Sequence, residues 1–124
     1  YYPKIKNLKI NFDGINNYVE IHEPFEIKEE VFLSFGDNSK IIIDAHSIHK
    51  KTKILSGSSN NIIIGKGLTT EALEIHCFSA KGHTVRIGDD CQVAWDVIVR
   101  TNDASIGINN KSLFIYSILS LLYQ

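Results

Sequence analysis

Five histidines, His22, His46, His49, His76 and His83, are the side chains best suited to moving a proton near neutral pH. His46 and His49 stand three apart and suggest a metal pair, but no third ligand follows at a recognisable spacing, so both read as surface or corner residues. His22 and His76 each follow an isoleucine directly, and alternation turns both to an outer, solvated face; His83 falls in a turn. Cys77 and Cys91 are fourteen apart, and Cys91 occupies a small inward position, which makes it a buried, inert thiol rather than a nucleophile. Trp95, next to Asp96, reads as an outward aromatic on which a sugar ring can stack, or equally as a subunit contact. Arg100 and Asn102 alternate outward from Val99 and Thr101, facing either a cleft or plain solvent. No Gly-rich phosphate turn precedes a helix.

Whatever these groups do, 124 residues must position them within one domain. Hydrophobic residues make up 44% and charged residues 22%, a composition that folds. The formal charge of −1 supplies no basic excess to neutralise phosphates, which excludes a general nucleic-acid binder. Two cysteines cannot build a disulfide framework, so a reducing, cytoplasmic setting is expected. Lys4, Lys6 and Lys9 interrupt any apolar run at the start, and no secretory leader is expected there. The lack of any Met predicts a fragment or a processed chain.

The strongest pattern is a repeat of about twenty-two residues. Four stretches align: 14–21, 36–43, 57–64 and 82–87, each opening on Gly and closing on an isoleucine, at 21, 43, 64 and 87. A second apolar series lies eleven residues after each: Phe32, Ile54, Ile75 and Ile98, with Ile10 eleven before Ile21. Within each unit β-branched residues alternate, as in Val19/Ile21, Ile41/Ile43, Ile62/Ile64 and Val85/Ile87, the signature of a short strand with one face buried. No long helical periodicity crosses residues 1–110. Short strands in a repeat this small predict a parallel β-solenoid, whose coils stack about 4.8 Å apart so that the isoleucines form a continuous dry core. A β-sandwich or barrel is the rival, but the Asn-rich turns recur too far apart for a meander.

Residues 87–104 read as consecutive hexapeptides begun by Ile87, Val93 and Val99, with the small or aliphatic residues Cys91 and Val97 four positions into two of them. With Gly88-Asp89-Asp90-Cys91 and Arg100-Thr101-Asn102-Asp103-Ala104, this resembles the hexapeptide-repeat acyltransferases, and within them the acetyltransferases of surface-polysaccharide synthesis. The likeness spans about residues 12–105. It implies an all-β, single-stranded left-handed parallel β-helix of triangular section, here four to five coils over residues 1–110. It also implies a homotrimer, acetyl-CoA as donor and a sugar or polysaccharide hydroxyl as acceptor, with sites between subunits. Coils of more than eighteen residues need a loop at one corner, for which the Gly/Asn/Ser clusters at 13–17, 36–39 and 57–61 are the candidates.

Acetyl transfer needs a general base on the hydroxyl and donors for the developing oxyanion. The resemblance places a histidine after Ala104, where this chain has Ser105. Asp103, which would orient that base, is then the remaining candidate of the catalytic motif, with Trp95, Asp96, Arg100 and Asn102 as candidate substrate contacts. None of the five histidines stands at the motif position. Beyond Lys111 the chain turns apolar and uncharged through residue 124. This tail is too short to span a membrane and reads as a cap, an association segment or non-family sequence of a truncated product. The resemblance thus implies an acetyltransferase-like protein that is weakly active or inactive and uses no metal. The alternative is a non-catalytic solenoid with a structural or binding role.

Overall fold

Alternating β-branched residues, broken by Gly, Asn and Asp every few positions, leave strands as the only regular structure. The computed structural model describes residues 5–77 and 82–101, and the backbone of 112–115. Eleven strands are found there and no helix: β1 Leu8–Phe12, β2 Tyr18–Ile21, β3 Phe25–Phe35, β4 Lys40–Ile43, β5 Ser47–Ser56, β6 Asn61–Ile64, β7 Thr69–Cys77, β8 Thr84–Ile87, β9 Gln92–Val93, β10 Val97–Thr101 and β11 Ser112–Ile115. Every pairing is parallel. One sheet runs β1-β3-β5-β7-β10, with β9 also on β7, and the other runs β11-β8-β6-β4-β2. The chain is a parallel β-solenoid of about four turns, as the repeat predicts.

Each coil has three straight runs. β7 pairs with β9 at Thr69–Thr70 and with β10 from Leu73 to Cys77, so β3, β5 and β7 each round a corner and supply two faces. β2, β4, β6 and β8 form the first face. The leading ends of the long strands and β9 form the second. Their trailing ends and β10 form the third. The turns are stacked too. Asn16, Asn38, Ser59 and Gly82 take left-handed φ angles of 59°, 55°, 63° and 87° at the corner before the first face, and His46, Gly67 and Asp90 take 64°, 79° and 57° at the next. Gly, Asn and Asp tolerate this region best, which is why they recur there. The clusters at 13–17 and 36–39 are corner loops, as is 57–60, with Asn61 opening β6.

Ile21, Ile43, Ile64 and Ile87 stand in register on adjacent strands, and Ile43 and Ile64 are fully buried. Ile87, Val93 and Val99, six apart, point inward on three successive faces, and Cys91 is buried beside them. The second series needs correction. The buried column on the third face is Leu33, Ile54, Ile75 and Val99. Phe32 instead aligns with Lys53, Glu74 and Ile98 on the outside, and Ile98 is 48% exposed. The cause is one residue at the corner between the second and third faces: six separate Ile27 from Leu33 and Val93 from Val99, but five separate His49 from Ile54 and Thr70 from Ile75. Where a count of eleven holds for two coils, twelve holds for the others, and one residue reverses which side chain points in.

A polar ladder closes the corner before the first face. Asn17 Oδ1 accepts the Ser39 amide at 2.9 Å, and Asn60 Oδ1 accepts the His83 amide at 2.8 Å. Asn60 Nδ2 also donates to the Cys77 carbonyl at 2.7 Å, and the Ser39 hydroxyl donates to the Gly57 carbonyl at 2.6 Å. Ser39, Asn60 and His83 are all buried, so the turn expected at His83 is a buried corner. In the apolar tail, β11 adds a parallel rung to β8; the rest of the tail lies outside the described residues. Among the described residues, no helix is long and apolar enough to cross a membrane.

Candidate functional site

The candidate residues that the structure describes gather where the second face turns into the third. β9 ends at Val93, and Ala94, Trp95 and Asp96 make the corner before β10 begins at Val97. The two inward valines Val93 and Val99 fix the chain on either side, so the corner must project outward. Trp95 is 58% exposed, and Asp96 holds a left-handed φ of 57°. Arg100 faces out from β10, directly beside His76 of β7. Asn102, Asp103, Ala104 and Ser105 lie outside the described residues.

Beside the corner runs a groove of about 280 Å³, lined by Lys51, Lys53, Ala72, Glu74, Asp96 and Val97. The charges on its walls are ordered by the register: Lys53 stands beside Glu74, and Glu74 beside Ile98. Glu74 Oε1 lies 2.9 Å from His76 Nε2. That hydrogen bond holds the Glu74 carboxyl below its ordinary range, with His76, Lys53 and Arg100 adding favourable charge. The His76 side chain is only 15% exposed, so the expectation of a solvated His76 is corrected: it is packed down against the face by its acid partner.

A second arrangement crosses three coils at this corner. The Lys50 ammonium sits 4.3 Å from the centre of the Trp95 ring and 3.6 Å from Glu71 Oε2. The corner also displays Asp96, so an aromatic face, two carboxylates and several ammonium groups are close together without any metal-ligating set. Among the described residues, no group of three His, Cys, Asp or Glu could hold a metal ion.

The other candidates are dispersed. His22 is half-exposed at the end of β2, bonded to Glu20, with Asp44 at 4.0 Å; the Glu20 hydrogen bond first, and the nearby carboxylate charges, raise its pKa. Tyr18 bonds the same Glu20 carboxylate. His46 is an exposed corner residue, as expected, whereas His49 corrects the same expectation by lying fully buried inside the solenoid. Burial raises the pKa of both Cys77 and Cys91, which suits inert thiols. Lys50, Glu71 and Glu74 escape a reading based on motifs. A usable signal was present, since Lys50, Glu71 and Trp95 are separated by about one repeat each. Compared with protein-family models, curated proteins and solved structures, the chain matches none of them.

Proposed function

We propose that the chain is an acyltransferase-type solenoid of the hexapeptide-repeat kind, whose last corner and third face take a sugar or polysaccharide. In this reading acetyl-CoA is the acyl donor, the coil is left-handed, and transfer by this chain is weak or absent. The observation that carries the reading is the hexapeptide frame of the last coil. Ile87, Val93 and Val99 point inward, and the same spacing turns Trp95 and Asp96 outward beside a groove edged by Lys51, Lys53 and Glu74. An exposed indole next to hydroxyl-binding groups is a surface suited to a sugar ring. Weak transfer follows from Ser105 standing where the resemblance expects the base.

A non-catalytic binding solenoid is the second reading, favoured by His76. The histidine on this face is mostly buried and tied to Glu74, an arrangement that suits a fixed polar pair more than a base reaching for a substrate hydroxyl. A calorimetric titration with acetyl-CoA, paired with a transfer assay and a mass measurement in solution, separates the readings. Acetyl-CoA binding with little or no turnover, on a trimer, is the expected result. Brisk turnover overturns the inactive assignment. No binding of acetyl-CoA together with retained sugar binding overturns the acyltransferase reading and leaves the binding module.

A further inference from the structure

The corner between the second and third faces carries a vertical file of side chains: Lys50 from the second coil, Glu71 from the third and Trp95 from the fourth. Lys50 and Glu71 occupy equivalent positions, because His49 pairs with Thr70 on one side of them and Lys51 with Ala72 on the other. The Lys50 ammonium lies over the indole at 4.3 Å and near the Glu71 carboxylate at 3.6 Å. An indole face with a carboxylate alongside is the surroundings in which proteins hold organic ammonium groups. Here the chain's own lysine fills that place. Lys50 remains 34% exposed and Glu71 45% exposed, so a cation from solvent can reach both partners.

We propose that this corner is a recognition site for an organic ammonium group, the free amine of an amino sugar, and that Lys50 is the internal occupant it displaces. The proposal rests on the reading that this face takes a sugar, and it narrows the sugar to one with a positive charge. Trp95 and Glu71 supply the cation site. The adjoining groove, through Lys51, Lys53, Glu74 and Asp96, supplies donors and acceptors for the hydroxyls of the same ring. Lys50 competes with the ligand for the indole face, so the native chain binds it weakly. Removing the lysine charge while keeping its apolar stem opens the site.

The chain contains one tryptophan, so its fluorescence reports on this corner alone. Glucosamine and glucose are titrated against the full chain, the Lys50→Met variant, the Lys50→Arg variant and the Lys50→Met/Glu71→Gln double variant, with calorimetry alongside. Lys50→Met should tighten glucosamine binding roughly 3- to 10-fold and leave glucose unchanged. Lys50→Arg, which keeps a cation on the ring, should leave glucosamine at its native affinity, and Glu71→Gln in the Met background should abolish the gain. An unchanged glucosamine affinity in Lys50→Met overturns the proposal. An equal gain for glucose also overturns it, while leaving the sugar-binding reading in place. Heat from neither sugar in any variant removes both.

Discussion

His49 Nδ1 lies 2.8 Å from the Thr52 hydroxyl, inside a core built mainly of aliphatic side chains. The Thr52 hydroxyl is in turn 2.9 Å from that of Thr70, and the Phe25 ring packs against the imidazole at a centroid distance of 5.0 Å. His49 Nε2 is buried with no hydrogen-bond partner among the described residues. Desolvation therefore pushes the pKa down to about 4, from 6.5. Well above pH 6.5 the ring is neutral whether the chain is folded or unfolded. As pH falls from 6.5 towards 4, the unfolded chain takes up a proton that the folded one refuses, and stability drops by about 3 kcal/mol. His22 acts oppositely: its raised pKa gives stability that is present at low pH and lost as pH rises past the folded value, but the group is exposed and screened. Urea unfolding at pH 7 and pH 4.5 should show the loss in the native chain. His49→Leu should abolish most of it; a variant with the same pH dependence as the native chain would assign the effect elsewhere.

An inward residue of the first face and an outward one of the third make a contrasting pair of predictions. Ile64 is fully buried between Ile43 and Ile87, and Ile64→Ala should cost about 2–5 kcal/mol of stability. Ile98 lies outside, beside Glu74, and Ile98→Ala should change stability by no more than about 0.5 kcal/mol. Chemical unfolding of the two variants measures both, and equal losses would place Ile98 in the core.

Asn60 is a polar residue on which two coils depend. It accepts the His83 amide and donates to the Cys77 carbonyl while almost wholly buried. Asn60→Ala leaves the buried His83 amide without that acceptor, while the Cys77 carbonyl keeps the Gly57 amide at 2.8 Å, and should cost about 1–3 kcal/mol. Amide exchange should quicken first at His83, whose N–H loses its acceptor. Unchanged exchange there would mean that another group fills the place.

Much of this architecture is legible along the chain, because a solenoid writes its long-range contacts at a fixed spacing. Ile21, Ile43, Ile64 and Ile87 can be stacked by counting, and so can the Gly and Asn turns between them. Phe32 and Ile98 cannot, because a corner one residue longer in their coils shifts the alternation. His49 and Thr70 hide the hexapeptide frame of the inner coils: they stand where Val93 stands in the last one, but a polar residue does not announce an inward position. The site was half legible. Trp95, Asp96 and Arg100 lie in a recognisable motif, whereas the pairing of Trp95 with Lys50 depends on corner geometry across two coils. Glu74 and His76 alternate on one strand and carry no motif at all.

The fold and the site both depend on parallel stacking of the coils, with the isoleucines in one vertical file. Methyl-resolved NMR of the isoleucine-labelled chain tests it most directly. Stacked coils give methyl contacts in series, Ile21 to Ile43, Ile43 to Ile64 and Ile64 to Ile87, with parallel backbone contacts between β4 and β6 and between β6 and β8. Antiparallel contacts between β4 and β5, with Ile43 and Ile64 out of reach of each other, would contradict it.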